Sequence, residues 1–132
     1  MKSIHLFCCV GLLLCLFIGS SSCQTTPKRT TLFLQDTLDL GVVMAGQKKE
    51  AVIAIHNPTD QYVTIESIRG DCNCVNINTC PTRLSANEKA QITITYDSER
   101  DKEVKGLLYK AVLLKASTKP YLQTLFLKAI II

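Results

Sequence analysis

Residues 90–96, AQITITY, alternate without interruption, with Ala90, Ile92, Ile94 and Tyr96 on one side and Gln91, Thr93 and Thr95 on the other. A period of two belongs to extended chain, and one apolar face beside one polar face is what an antiparallel sheet over a core requires. The period recurs at residues 51–57, where Ala51, Ile53 and Ile55 alternate with Val52, Ala54 and His56. Near the C-terminus it places Leu125, Leu127, Ala129 and Ile131 inward and Phe126 and Ile130 outward. Shorter β-rich pieces occupy 32–35, 38–44 (broken by Gly41), 62–68 and 107–116. Turn signals separate them at residues 45–49, at Asn57-Pro58-Thr59-Asp60, at Ser85-Ala86-Asn87-Glu88 and at Ser117-Thr118-Lys119-Pro120. The Asn-Pro pair fits the first two positions of a type I turn. About seven strands and no helical segment predict an all-β chain, a single antiparallel β-sandwich. At 132 residues the chain has a one-domain length and buries enough surface to stand without staples.

The first 22 residues read differently. Lys2 gives a short positive start, residues 4–18 are an almost unbroken apolar run, and Gly19, Ser20, Ser21 and Ser22 lead to Cys23. That order is a secretory signal, too short in its apolar part to span a bilayer as a helix. Ser21-Ser22-Cys23 resembles a bacterial lipobox, although Ser20 stands where such motifs carry an aliphatic residue. The resemblance implies that Cys23 is acylated and becomes the first mature residue; the alternative is plain secretion with Cys23 a free thiol. The expected organisation is a signal peptide at 1–22, a lipidated Cys23 with a polar tether over 23–30, and the β-sandwich over 31–132. Membrane contact is then expected through the lipid. The charge of +4 forms no basic stripe and Trp is absent, so nucleic acid is not an expected partner.

Chemistry concentrates in residues 65–81, IESIRGDCNCVNINTCP, where a strand runs into Arg69-Gly70-Asp71 and then Cys72, Cys74 and Cys80. An exported chain meets an oxidising compartment, so these cysteines read first as disulfide candidates. In extended chain Cys72 and Cys74 stand about 6.5–7 Å apart, at the upper limit for a bridge. The first expectation is a structural disulfide from Cys80 to Cys74 or Cys72. Soft-metal binding (copper or zinc) by Cys72, Cys74 and Cys80 is the second reading, with Asp71 a possible oxygen donor. His56, on the strand face away from Ile53 and Ile55, is expected toward solvent. Thiol-redox chemistry is the third, with Arg69 and Arg83 the only nearby cations. Catalytic residues and a cofactor are not expected: no Ser/His/Asp set, phosphate loop or zinc-protease motif is present.

The order Asp39-Leu40-Gly41-Val42-Val43, Gly46, the strands at 53–57 and 63–68, Cys72-Asn73-Cys74, residues 90–97 and Gly106 resembles a family of bacterial envelope proteins. This is domain of unknown function fifteen seventy-three, and the likeness spans residues 33–130. It implies an immunoglobulin-like sandwich in an envelope lipoprotein of Bacteroidetes-type bacteria, with the outer membrane as the expected location. It supplies no activity, ligand or catalytic residue. Cys80 is an addition to the common pattern, and Ser85-Ala86-Asn87-Glu88 replaces the family's Pro-Gly turn. The expected function is a membrane-anchored binding or scaffolding module with a protein partner. The alternative is a metal-handling or thiol-redox protein acting through Cys72, Cys74 and Cys80.

Overall fold

In a computed structural model, residues 30–101 and 105–132 are described. They form eight strands: β1 (Thr37–Val43), β2 (Lys48–His56), β3 (Val63–Gly70), β4 (Val75–Thr79), β5 (Arg83–Leu84), β6 (Lys89–Asp97), β7 (Gly106–Ala116) and β8 (Leu122–Ile131). Two sheets face one another, one of five strands in the order β1-β8-β7-β3-β5 and one of three in the order β2-β6-β4. The expected all-β sandwich is therefore present. The extra strands relative to the sequence reading are β4, which runs through the cysteine stretch, and the two-residue β5, while the expected piece at 32–35 forms only an isolated bridge from Phe33 to Ile55.

Pairing is antiparallel except at one edge, where β1 runs parallel to β8. Gly41 sits at φ +71° inside the register shift between Asp39 and Val42, a conformation glycine reaches without steric cost. Asp39 Oδ1 accepts the Gly41 N–H at 2.8 Å and holds the bulge closed.

The inner faces follow the alternation. Ile53 and Ile55 of β2, Ile92, Ile94 and Tyr96 of β6, and Leu125, Leu127, Ala129 and Ile131 of β8 are all buried. Phe126 and Ile130 face outward and stay exposed, as their parity requires. Before β1, Leu32 is fully buried and ties the two sheets together. Its N–H donates to Gln123 Oε1 on β8 at 2.7 Å, and its carbonyl accepts the His56 N–H of β2 at 2.9 Å.

The ends of the sandwich differ. At one end, Thr30 N–H donates to the Lys119 carbonyl, and loop 57–61 is stitched to the 85–88 turn. The stitch is Asn57, fully buried just after β2. Its Nδ2 donates to the carbonyls of Gln61 at 2.7 Å and Ser85 at 2.9 Å, and its Oδ1 accepts the Thr59 N–H and hydroxyl. Turn chemistry at Asn57-Pro58 is legible in sequence, but the residue acts more as a buried pin between two loops than as the corner of one turn.

At the other end, Asp97 closes the structure. Asp97 opens a run of charged residues of the kind that solvent usually covers, yet its side chain is 3% exposed. It pairs with Lys48 Nζ at 3.2 Å and Arg100 Nε at 3.5 Å, and accepts the Glu99 N–H at 3.1 Å.

Replacing the fully buried Asn57 with Ala strips hydrogen bonds from part-buried carbonyls in both loops and is expected to cost about 1–3 kcal/mol. Urea unfolding of the two proteins, read at equal m-value, measures the difference.

Candidate functional site

Between β3 and β4 the chain changes sheets within a few residues. The Asp71 N–H still bonds the Ala111 carbonyl of β7 at 2.9 Å, in the five-stranded sheet. Three residues on, the Cys74 carbonyl accepts the Asp97 N–H of β6 at 2.8 Å, in the three-stranded sheet. So sharp a crossing brings Gly70 against Val75. A Cβ on residue 70 would lie 2.5 Å from Val75 Cβ and 2.7 Å from the Val75 carbonyl oxygen, so only glycine fits.

Cys72 and Cys74 stand inside this turn and are joined as a disulfide, their Cα atoms 5.2 Å apart. The turn shortens the separation below that of extended chain and brings it within the ordinary disulfide range. Cys74 is buried in the core and Cys72 is partly exposed. By chain entropy so small a loop contributes only about 1.5 kcal/mol, so the bridge shapes the turn more than it holds the domain.

The expected pairing of Cys80 with Cys72 or Cys74 is not found. Residues 75–79 form a strand, β4, and six residues of extended chain carry Cys80 roughly 20 Å along from Cys74, far beyond bridging distance. Cys80 keeps its thiol, half-buried, with Sγ 3.3 Å from the Pro81 carbonyl. Burial pushes its pKa up, which lowers its thiolate fraction. Among the described residues no three His, Cys, Asp or Glu side chains gather as a metal set. The three cysteines therefore do not form one site. His56 is half-buried on β2. Cys23 lies outside the described residues.

An open groove of about 660 Å³ lies beside the turn. Ile68, Arg69 and Gly70 of β3 line one wall and Val75, Asn76 and Ile77 of β4 the other, with Cys72 and Arg100 at the closed end. Both walls are sheet edges. β4 is an edge strand of its sheet, and β5 covers β3 only at Val63 and Thr64, leaving the rest of that side without a strand. Arg69 is exposed and makes no ion pair among the described residues.

The electrostatics gather at the same pole. Burial pushes the Asp97 carboxyl up, but Lys48, the Glu99 N–H and Arg100 outweigh it and hold the group below the ordinary carboxylate range. Beside it Tyr96, 1% exposed, donates its hydroxyl to Asp101 Oδ2 at 2.9 Å, and Asp101 pairs with Lys110 at 3.0 Å. Burial and the Asp101 carboxylate push the phenol well above its usual pKa. Sequence reading missed Asp97 because its run of charges carries no periodicity; the signal lies in the strand before it, whose inward parity ends at Tyr96.

The family model described as "Protein of unknown function (DUF1573)" matches residues 31–131. The chain belongs to that family. Among curated proteins none matches it. Of solved structures, a protein of unknown function from Porphyromonas gingivalis W83 superposes with a TM-score of 0.64 at 16% identity, over 72% of this chain and 44% of that one. The present chain thus spans less than half of that protein's length. The ASH/PapD-like domain 7 of human CEP192 gives 0.63 at 11% identity, over 82% and 89%. A family 123 glycoside hydrolase from Clostridium perfringens gives 0.58 at 11%, over 74% of this chain and 23% of the enzyme. At such identities the likeness shows the fold alone, an immunoglobulin-like, PapD-like sandwich.

Two outcomes test this geometry. Gly70→Ala drives a methyl group into Val75 and is expected to destabilise the domain by about 1–3 kcal/mol, measured by chemical denaturation. For Asp97 the folded pKa is depressed, so its contribution is complete above the unfolded value near pH 4 and drains as pH falls below it. The stability gap between the native chain and Asp97→Asn, titrated from pH 6 to pH 2, is expected to narrow below about pH 4; a gap constant across that window would overturn the assignment.

Proposed function

We propose that this protein is a lipid-anchored module of a bacterial envelope that binds another protein at the pole carrying the Cys72–Cys74 turn. The anchor would be Cys23 behind a cleaved signal peptide, and the tether would end where the described chain begins. One observation carries the reading: the first described residue and the groove lie at opposite ends of the sandwich. Thr30 sits beside Lys119, at the end where β3 begins, whereas Gly70 and Cys72 stand where β3 finishes. Eight residues of extended strand separate the two poles by roughly 25 Å. A chain tethered at one pole presents the other to the periplasm or the exterior.

The reading is also supported by what the groove contains. It holds a disulfide, two arginines, two asparagines and open strand edges, a set suited to recognition. Among the described residues that line it, no nucleophile is paired with a base. The thiol and metal readings lose their basis once Cys72 and Cys74 are joined and Cys80 stands a strand away.

Fractionation of native cells tests the anchor: the wild-type chain is expected in the membrane pellet and Cys23→Ser in the soluble fraction, and a variant still in the pellet refutes lipidation at Cys23. A photo-crosslinking residue at Asn76 is expected to give a discrete protein adduct in the living envelope, while one at Lys119 gives none. Adducts absent at both positions would remove the binding-module reading.

A further inference from the structure

Hydrogen-bond parity shows which main-chain groups face the groove. In an antiparallel ladder, opposed residues alternate between pairs that exchange hydrogen bonds and pairs whose N–H and C=O point away from each other. The Asp71 N–H to Ala111 carbonyl bond makes that pair a bonded one. One step back Gly70 faces Val112, and two further Ile68 faces Leu114, both non-bonded by alternation. The N–H and C=O of Ile68 and Gly70 therefore turn away from β7, toward the side where β5 has already ended.

The same construction applies across the groove. The Asp97 N–H to Cys74 carbonyl bond makes Cys74–Asp97 a bonded pair, so Val75–Tyr96 and Ile77–Ile94 are non-bonded. Main-chain groups of Val75 and Ile77 turn away from β6. The Val75 N–H is taken by the Cys72 carbonyl at 3.3 Å and its own carbonyl is pressed against Gly70, which leaves Ile77. Two walls of directed donors and acceptors thus meet at the Gly70–Val75 contact and open away from it.

We propose that an extended segment of the partner protein fills this groove as an added strand. It lies beside β3, past the end of β5 in the five-stranded sheet, and carries an acidic residue between two apolar ones. The proposal rests on the binding-module reading and names its site and the chemistry of its ligand. Main-chain pairing comes from Ile68 and Gly70, with Ile77 on the facing wall. The side-chain pattern follows from parity: the residue opposite Arg69 shares its outer face and lies about 5 Å from it, so a carboxylate there meets an arginine that has no ion-pair partner among the described residues. The positions on either side of that carboxylate turn inward, toward the half-buried Ile68 and Ile77, and favour Val or Ile. Among the described residues that line the groove none is acidic, and Arg100 adds a second cation at the closed end, although it is shared with Asp97. A basic segment would set its charge against the unpaired Arg69.

The test uses the full-length chain, 15N-labelled and held in a mild detergent, titrated with the end-blocked hexapeptide Val-Glu-Val-Glu-Val-Glu and with its Val-Lys counterpart. The expected result is that the glutamate peptide shifts the amide signals of Ile68, Gly70 and Ile77 and the lysine peptide does not. Arg69→Glu, at an exposed position that leaves the fold intact, is expected to weaken binding about tenfold; Arg83→Glu, at the far pole, is expected to leave it unchanged. No shift with either peptide, or equal binding of both, overturns the proposal. Shifts confined to the outer face around Phe126 and Ile130 also overturn it, while the binding-module reading stands or falls separately on the crosslinks at Asn76.

Discussion

The molecule turns on the contact between Gly70 and Val75. Two sheets can be joined by a connection this short only if the backbone of one edge strand runs against the side chain of the other, and here a single missing methyl group permits it. From that contact follow the lean of β4 away from β3, the groove between them, and the closing of the 71–74 turn that brings Cys72 within reach of Cys74. The disulfide is a consequence of the crossing: by chain entropy it adds little, and its place is fixed by main-chain bonds to Ala111 and Asp97 on either side. Any side chain at residue 70 would push the two edges apart, so the packing of the turn and the shape of the groove cannot vary independently.

Most of the sandwich was legible because its strands each have one wet and one dry face. Residues 51–57, 90–96 and 121–131 carried their parity openly, and the buried sets in β2, β6 and β8 are those the alternation names. Legibility failed where a strand is short or has lost its alternation. In β4, VNINT, the alternation lasts only from Val75 to Asn78 before a bulge, too short a run between cysteines to stand out as a strand, and Cys80 was brought near Cys74 on paper. The parallel pairing of β1 with β8 is likewise invisible in a period-two pattern, which reports facing but says nothing of direction. Asp97 and Asn57 show a third kind of failure. Charged and turn-forming residues are read as solvated by default, and only tertiary partners on distant strands and loops turn them inward.

The two poles are closed by different physics. Near Thr30 the seams are neutral hydrogen bonds: Asn57 to loop carbonyls, Gln123 to Leu32 and to Thr118. Such bonds are directional and indifferent to salt or to modest changes of pH. At the groove pole the closing interactions are ionic, with Asp97 between Lys48 and Arg100, and Asp101 between Tyr96 and Lys110. The Asp97 pairs weaken in acid, because a protonated carboxyl no longer holds its cations, and the exposed members are screened by salt. The acid-sensitive contacts therefore lie at the groove pole, where β4, β6 and the 97–101 turn meet, whereas the seams near Thr30 are neutral. A binding edge gains from that division. A strand added beside β3, as proposed, would join the end of the fold that ionic pairs close, while the end at Thr30 is held by neutral hydrogen bonds.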